Sequence, residues 1–584
     1  TVSFDICDTL ITRCLMEPDD LFYIMGRRIR NEYGVNIDFF KRRKQAEINA
    51  GQKQGIRTTI YDIYDELGKF EEIGCELAQE LLQMEIAMEK NLIIPRRDMV
   101  EVFNKLKTNQ NTLILVSDMY LPSSILADIL TDCGITGYNE MIISCECGYR
   151  KDADTIWDYV FTKYGKDSFV HVGDNPRSDW QTLIDRGIGV PWIMSSKDEM
   201  RFTRDEELVR ESSGNCIKSI EYGLLFNQGM YNSPFVLNSN GMVEFQNAWT
   251  MGFSVFGPLF YGFAHWLNQT LPNDAILLFL SREGFLLKQV YDIVCRSQKE
   301  KRVSKYFLTS RRAASVASIE SWHDIKEILA KDYDGNVGQL LWNRLGVKTT
   351  QKYAEQDIRI TDDDHTALDE LMSLMMDDEN IDFAQFEREK RDYLKYIEQI
   401  IPRREWDKAV VVDVGYAGTI QYYLAKIMNQ KLAGAYLASF GNTKPDKIGC
   451  HMDVMYKDTT DFNRVIFLTQ LFLEAALQAP CGQLICMEND SFAGIQPRYK
   501  NDGDVSYDIQ RLQEGIFEYC RRRAFLQEKY QIDENYDFSI AEKIYQKYVD
   551  GKCLSKELAS IFTVEDSYCR NRILQFDYET NSWK

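Results

Sequence analysis

The chain has 584 residues, a length that accommodates about three domains. Its formal net charge of -20 at pH 7 argues against a general binder of nucleic acids or anionic membranes, because both of those surfaces are themselves negative. The sequence has no apolar run of about 18 residues, so we predict no membrane-spanning helix.

The first predicted element is a short apolar strand at residues 2–4, which ends in Asp5. An aspartate at the carboxyl end of a parallel strand lies above the sheet, where open α/β folds bind their ligands. A carboxylate in that position can bind Mg²⁺ or attack an electrophile such as phosphorus. A hydroxyl side chain, Thr9, follows four positions later.

A long, mainly helical insertion is predicted next, from about residue 17 to residue 91, by the spacing of its apolar side chains. It carries basic clusters within residues 27–30 and 41–44. These side chains can line a pocket for an anion, or they can form an ordinary solvated helix face.

Three further motifs follow in order along the chain. A second apolar strand, within residues 112–118, leads to Ser117, whose hydroxyl can hydrogen-bond a phosphoryl oxygen. Lys151 precedes a helical pattern, and its ammonium group can neutralise charge on a nucleophile and on a transferring group. A third strand delivers Asp174 and Asp179, which suit a site for a hard cation. Taken singly, such residues can equally be helix caps or a surface lysine.

This ordered set of motifs resembles the haloacid dehalogenase-like hydrolase superfamily over about the first 200 residues. The resemblance implies a Rossmann-like α/β core with residues 17–91 as a helical cap of the C1 type, which chooses the substrate. It also implies a Mg²⁺ cofactor and an aspartyl-phosphate intermediate. The roles that it implies are Asp5 as nucleophile and metal ligand, the backbone carbonyl of Cys7 and the side chain of Asp174 as further metal ligands, Asp179 as a holder of the metal or its waters, and Ser117 and Lys151 as partners of the phosphoryl oxygens.

One position departs from the pattern of the superfamily. Its phosphatases usually carry a second aspartate two residues after the nucleophile, where it protonates the leaving oxygen and later activates water. This chain has Cys7 there, and a thiol with an ordinary pKa near about 8.5 is a poor substitute for a carboxylic acid. We therefore expect slow hydrolysis, a substrate with a good leaving group, or a different reaction.

The rest of the chain is predicted to hold a second domain. Residues 201–240 are rich in polar residues and turn signals, which indicates a linker. A second α/β domain is predicted at residues 241–490, and a helical C-terminal region at 491–584. This half resembles the C-terminal region of large bacterial two-module proteins, in which such a hydrolase domain precedes a second module, often in surface-polysaccharide gene clusters.

Three strands of the second domain end in groups that suit a phosphate. Because the carboxyl ends of parallel strands share one edge and a helix N-terminus offers free N–H groups, we predict a phosphate, nucleotide or phosphosugar site there. The predicted residues are Arg282, Arg311, Asp413, Gly415, Gly418 and Thr419. Ordinary glycine turns, with arginines paired to Glu283 or Glu474, are the alternative.

The cysteines and histidines indicate neither a zinc site nor a secreted protein. None of the 14 cysteines forms a C-x-x-C pair, and the five histidines form no metal-binding cluster. Reduced thiols and the lack of a signal peptide predict a cytoplasmic protein, although the first residue is not Met and upstream residues can be missing.

Two classes of function remain open from the sequence. In the first, the chain is a Mg²⁺-dependent hydrolase of a phosphorylated small molecule, such as a sugar or nucleotide phosphate. In the second, the hydrolase domain is weakened by Cys7 and serves binding or assembly, while the second domain transfers a sugar or a phosphosugar. Neither class requires nucleic acid or a membrane span, and the sequence leaves the oligomeric state open.

Overall fold

The computed structural model describes residues 1–109, 111–203, 205–212, 214–296, 302–361, 364–441, 443–457, 459–500, 504–531, 536–549, 551–566 and 572–584. The chain divides into two compact units. The first comprises Thr1–Glu244 with Phe525–Glu534, and the second comprises Phe245–Ala524 with Asn535–Lys584.

The first unit is built on a four-stranded parallel sheet with the order β5-β4-β1-β6. The central residues of β4 are completely buried, as expected for a parallel strand that is covered on both faces. The strands are β1 (Val2–Phe4), β2 (Ile11–Arg13), β3 (Ile93–Pro95), β4 (Leu113–Ser117), β5 (Glu140–Ile143) and β6 (Val170–Val172). The α-helices outside the insertion, up to residue 185, are Arg97–Thr108, Ser123–Asp132, Ser144–Cys147, Thr155–Tyr164 and Thr182–Asp185.

The predicted helical cap is confirmed. The antiparallel pair of β2 and β3 closes the insertion at its base. Its α-helices are Asp20–Tyr33, Phe39–Gln54, Ile60–Leu67 and Gly74–Leu92. Each buries an apolar face, as its spacing of apolar residues predicts.

The basic clusters of the cap form ion pairs with carboxylates of the same unit. Arg43 is completely buried and makes two hydrogen bonds of 2.9 Å to Glu85, which also accepts a hydrogen bond of 2.6 Å from the hydroxyl of Tyr64. Arg28 pairs with Glu32 at the surface at 2.8 Å. Arg43 is therefore neither of the two possibilities left open by the sequence, since it is a buried cross-link within the cap.

Residues 201–240, predicted as a linker, differ from that prediction. The helices Ser196–Thr203, Glu206–Ser212 and Cys216–Tyr222 and the π-helix Gly223–Met230 run through this stretch. Leu224, Leu225 and Phe226 are buried, and the Asn227 amide donates to the carbonyls of two residues near β2. The many polar residues of this stretch suggested a linker. The stretch is nevertheless folded, because the apolar side chains of residues 220–231 complete the core of the first unit.

The second unit contains a five-stranded parallel sheet with the order β13-β12-β11-β7-β8. These strands are β7 (Ile276–Leu280), β8 (Val303–Phe307), β11 (Ala409–Asp413), β12 (Ala433–Ala438) and β13 (Met452–Tyr456), while β9 (Tyr333–Asn336) and β10 (Asp357–Ile360) form a separate antiparallel pair. The chain leaves β7 toward one side of the sheet and leaves β11 toward the other. The point at which strand order reverses thus lies between β7 and β11.

The C-terminal region contains the predicted helices, together with strands that the sequence reasoning missed. A hairpin of β14 (Leu484–Asp490) and β15 (Gly494–Tyr499) precedes them, and a small antiparallel sheet of β16 (Thr563–Asp566), β17 (Arg572–Asp577) and β18 (Ser582–Trp583) follows. Alternating side chains in these short strands leave too brief a period-2 pattern to stand out. The α-helices of the second unit and of this region are Ala248–Met251, Gly257–Thr270, Gly284–Val294, Arg311–Ala317, Trp322–Leu329, Val337–Leu345, Thr366–Met376, Phe383–Ile400, Thr419–Met428, Lys444–Lys447, Asp461–Leu468, Gln470–Ala476, Tyr507–Tyr530, Phe538–Tyr548 and Lys556–Ala559.

Within the described ranges, no helix combines the length and the apolar character that a membrane crossing requires. This agrees with the sequence prediction.

Candidate active site

Strand pairing in the first unit brings the four sequence motifs to one edge of the sheet. Phe4 of β1 is in register with Leu115 of β4 and with Val172 of β6. Asp5 therefore follows β1 beside Ser117, which is buried at the end of β4. The loop after β6 adds Asp174 and Asp179 at the same edge.

Lys151 connects the carboxylates of this edge. Its ammonium group donates to Asp5 Oδ1 at 2.5 Å and to Asp179 Oδ1 at 2.7 Å, and all three side chains are almost completely buried. Burial on its own would lower the pKa of Lys151, but the charges of Asp5 and Asp179 raise it above its ordinary value. The lysine thus stays charged at the centre of the site.

Asp5, Asp174 and Asp179 form a group whose carboxylate oxygens lie within 4.8 Å of one another, and among the described residues no other such group of metal-binding side chains occurs. Burial raises the pKa of Asp5 to about 7. Burial also raises the pKa of Asp174 to about 8, with the charge of Asp5 acting in the same direction. These raised pKa values mean that, with only one ammonium group beside them, the carboxyls of Asp5 and Asp174 tend to hold protons near neutral pH. A divalent cation would favour the ionised form of all three carboxyls.

Asp179 lies beside two nitrogen-bearing side chains, Lys151 and His171. Burial on its own would raise its pKa, but Lys151 and His171 hold the pKa of this carboxyl well below its usual range. His171 Nε2 lies 3.3 Å from Asp179 Oδ1, and His171 Nδ1 is bonded to the hydroxyl of Ser3 at 2.6 Å. His171 thus positions Asp179 from within the sheet, a role that its place inside β6 did not reveal.

The loop that carries Lys151 is fixed by Asp118, which the sequence reasoning did not assign. The Asp118 carboxylate accepts the backbone N–H of Lys151 at 3.0 and 3.1 Å. The sequence could have indicated a role for Asp118 at this edge, because Asp118 directly follows Ser117 at the end of β4.

The residues after Asp5 make a constrained loop. Asp8 adopts a left-handed backbone conformation with φ of 54°, and its carboxylate accepts a hydrogen bond of 2.7 Å from the hydroxyl of Thr12. Its backbone carbonyl accepts from Arg96, which is completely buried. Asp8 is therefore engaged in holding the loop. Burial raises the pKa of the Cys7 thiol to about 12, so that this thiol stays protonated at neutral pH.

The second predicted site is also assembled at one sheet edge. β7, β8 and β11 are parallel neighbours, so the residues that follow them share the carboxyl edge of the sheet. Arg282 is half-buried and Arg311 is exposed. Asp413 ends β11, and Thr419 begins the helix Thr419–Met428.

Local backbone geometry explains why glycine occurs at positions 415 and 418 of this second sheet edge. A side chain on Gly415 would place its Cβ 2.5 Å from the carbonyl oxygen of Ala438. Gly418 has a positive φ of 64°, and a Cβ there would lie 2.6 Å from Pro445. Gly415 lets the turn after β11 pass close to the end of β12, and Gly418 lets it pass close to the helix Lys444–Lys447.

The sequence matches no protein-family model and no curated protein. Solved structures similar to part of the chain include a haloacid dehalogenase-like family hydrolase from Xanthomonas campestris, with 12% identity over 33% of this chain and 81% of that chain and a TM-score of 0.25. A predicted phosphoglycolate phosphatase from Haemophilus somnus has 15% identity over 33% and 84% of the two chains, with a TM-score of 0.23. A HAD-hydrolase from Bacillus subtilis bound to magnesium has 15% identity over 33% and 87%, with a TM-score of 0.24.

The fold of the first unit agrees with the resemblance predicted from its sequence motifs. The four motifs occur in the order of the superfamily, a helical insertion follows the first of them, and the ends of β1, β4 and β6 with Lys151 converge at one edge of a parallel sheet. The first unit therefore has the parallel α/β core and the helical insertion that the resemblance to the haloacid dehalogenase-like hydrolases predicts.

Proposed function

We propose that the first unit is a Mg²⁺-dependent hydrolase of a phosphorylated small molecule, such as a sugar or nucleotide phosphate. The observation that carries the proposal is the buried group of Asp5, Asp174 and Asp179 with Lys151 in contact with two of its members. Buried like charges at one sheet edge are costly for stability, which favours a role in chemistry over a role in folding.

The chemistry of the donor set fits Mg²⁺. This ion prefers carboxylate and carbonyl oxygens and usually keeps several waters. Asp5, Asp174 and the backbone carbonyl of Cys7 would bind the ion directly. Asp179 would hold the ion or its waters. The ion would supply positive charge beside the transferring phosphoryl group.

The side chains have distinct roles in the proposed reaction. The Asp5 carboxylate attacks phosphorus and forms an aspartyl-phosphate, while the leaving oxygen departs with the bond electrons. Lys151 stays charged beside Asp5 and stabilises the negative charge of the phosphoryl oxygens, and the hydroxyl of Ser117 donates a hydrogen bond to them. Water then hydrolyses the acyl phosphate and regenerates Asp5.

Protonation of the leaving oxygen is the weak step in this chain. The pKa of the Cys7 thiol, raised to about 12 by burial, is poorly matched to general acid–base work near neutral pH. This supports an enzyme for substrates with good leaving groups. It also favours the second candidate function, in which the domain binds or assembles and the second unit transfers a sugar or phosphosugar in a bacterial two-module protein.

An assay of the full chain separates the two candidates. With Mg²⁺ and a panel of sugar, nucleotide and aryl phosphates, we expect turnover and a phosphorylated peptide that contains Asp5 in mass spectra. Asp5→Asn should abolish both, while the surface variant Asp128→Asn should leave both unchanged. Full activity of Asp5→Asn would refute the assignment, and the lack of turnover on every substrate would favour the binding module.

We also propose that the protein works in the cytoplasm. All thirteen described cysteines are free thiols. Free thiols are typical of a reducing compartment.

A further inference from the structure

The second unit has a crevice where its strand order reverses. β7 and β11 are neighbours, but the chain continues from β7 to β8 on one side and from β11 to β12 on the other. In open parallel α/β sheets, ligands bind at the carboxyl end of such a reversal, where the two loops diverge. The segments that border this crevice, which we name the switch crevice, are 281–284 and 413–419.

Charged groups from distant parts of the second unit meet at the switch crevice. The pKa of Asp413 is raised by burial first and by the charge of Glu283 next, while Arg311 lowers it and Glu474 raises it. Strand pairing supports this arrangement, because Glu283 and Asp413 follow the neighbouring strands β7 and β11 and Arg311 follows β8. The carboxyl groups of Glu283 and Asp413 thus share this edge of the sheet with Arg311, and the charge of Glu474 reaches Asp413.

A tyrosine of the same crevice lacks a polar partner. Tyr416 follows Asp413 by three positions and is 9% exposed, and its hydroxyl makes no hydrogen bond to any described residue. Burial raises the pKa of Tyr416, and the charges of Glu474, Asp413 and Glu283 act in the same direction. Tyr416 lies in the segment 413–419 that borders the crevice. Because a buried hydroxyl without a hydrogen-bond partner is costly, it points to a ligand that would accept or donate a hydrogen bond there.

Two further features of the crevice suit a phosphate attached to a ring. No described side chain caps the N-terminus of Thr419–Met428, a ten-residue helix whose first N–H groups can bind an anion. Phe440, just after β12, is 50% exposed, and its ring stacks on Phe467 at 4.4 Å. The ring centre of Tyr416 lies 6.0 Å from that of Phe440 and 4.9 Å from that of Phe467. This aromatic surface can carry the flat face of a base or a sugar.

The charges decide which phosphate compound fits. A free phosphate would add negative charge to three carboxylates, which is unfavourable. A cation alone would have too few ligands here, because among the described residues these carboxylates do not form a close group of metal-binding side chains like that of Asp5, Asp174 and Asp179. Mg²⁺ is commonly held by one or two carboxylates together with the phosphates of a ligand.

We propose that the switch crevice binds the Mg²⁺ complex of a diphosphate attached to a nucleoside or a sugar. Asp413 and Glu283 contact the cation, and Arg311, the hydroxyl of Tyr416 and the N-terminus of Thr419–Met428 contact the phosphates. Phe440 supports the ring. This site is independent of the hydrolase proposed for the first unit and gives the second unit a binding activity of its own.

Calorimetric titration of the full chain tests the proposal. An Asp174→Asn background weakens the metal site of the first unit, so that binding reports on the second. Magnesium pyrophosphate probes the shared chemistry, and the magnesium complexes of uridine and adenosine diphosphate probe the ring. We expect at least one of the three complexes to bind with a Kd below about 1 mM, and each component alone to bind at least about tenfold more weakly.

Variants of the crevice sharpen the test. Arg311→Gln removes an exposed side chain and should weaken the complex by at least about tenfold, and Tyr416→Phe by about three- to tenfold. Arg359→Gln, an exposed arginine on the separate sheet of β9 and β10, is the matched control and should bind as the parent does. The proposal is overturned if none of the three complexes binds, if Arg311→Gln and Tyr416→Phe bind unchanged, or if chelation of Mg²⁺ leaves the affinity unchanged.

Discussion

At the scale of single residues, Cys7 occupies the position where the proposed hydrolase would need a general acid. Its side chain is partly buried, and removal from solvent is the main cause of its raised pKa. Asp8 does not replace it, because its carboxylate is bonded to Thr12 and its carbonyl to Arg96. The proposed hydrolase would thus have Lys151 and Ser117 for the phosphoryl oxygens but a poor proton donor at Cys7.

The Cys7→Asp variant tests this deficiency. A carboxylic acid at this position should protonate the leaving oxygen and raise kcat for an unactivated phosphomonoester by at least about tenfold, since general acid–base catalysis is worth about 10²–10⁴ in rate. Steady-state kinetics measure the effect, and Cys75→Asp on the exposed surface of the cap is the control. No gain would mean that another group supplies the proton or that the native reaction is not ester hydrolysis.

Glu199 is a second buried residue with a large effect on electrostatics. It is completely buried, and its nearest cationic partner, Arg96, lies 3.9 Å away. Burial raises its pKa from an ordinary 4.5 to about 9. The folded state therefore holds one proton more than the unfolded state between these two pH values, and stability falls as pH rises through that window.

We expect Glu199→Gln to remove this pH dependence. Below the unfolded pKa the carboxyl is protonated in both states and the variant should resemble the parent. Above it, the stability advantage of the variant should grow by up to about 1.4 kcal/mol per pH unit until the folded pKa is reached. Thermal unfolding between about pH 5 and 9 measures it, with exposed Glu101→Gln as the control. Parallel curves for parent and variant would contradict the assignment.

At the scale of elements, the cap is held together by a buried ion pair between two of its helices. Arg43 in Phe39–Gln54 and Glu85 in Gly74–Leu92 have completely buried side chains, and the guanidinium of Arg43 also lies 4.7 Å from the ring centre of Phe22. Removal of one partner leaves the other charge buried without compensation. The cap therefore depends on both.

A double-mutant cycle on this pair gives a clear expectation. Arg43→Met and Glu85→Gln should each lower the free energy of unfolding by about 3–5 kcal/mol, and the double variant should lose much less than their sum. Chemical denaturation measures the three values. Arg28→Met, which breaks the exposed pair with Glu32, should cost at most about 1 kcal/mol. Additive losses would show that the two charges do not interact.

Features that depend on the local sequence could be predicted, whereas contacts between distant segments of the chain could not. The position of Asp5, Ser117 and Asp174 at one sheet edge was predictable, because each lies at or just after the end of a buried strand and strand ends are marked in the local sequence. Arg96 was not, because its contacts with the loop at Asp8 and with the carbonyl of Asn232 depend on chain segments far apart. The segment 216–230 misled prediction for the same reason, since its partners lie near β2.

At the scale of the whole molecule, the two units have parallel sheets of different strand order, and each gathers charged side chains at one carboxyl edge. In the first unit a lysine lies within a cluster of carboxylates. In the second, Arg311 and an uncapped helix N-terminus accompany the carboxylates. Two chemically distinct sites on one chain should respond separately to their ligands.

Hydrogen exchange measured by mass spectrometry tests this separation. A ligand at about 100 times its Kd stabilises the state that binds it by about 2.7 kcal/mol, so amides near each site should exchange more slowly. Mg²⁺ with orthovanadate should protect peptides that contain Asp5 and Asp174, and Asp174→Asn should abolish that protection. Magnesium pyrophosphate should protect the segment 413–419 in both the parent and Asp174→Asn. Loss of protection at 413–419 in Asp174→Asn would show that the two sites are coupled, because a substitution in one unit would then control binding in the other.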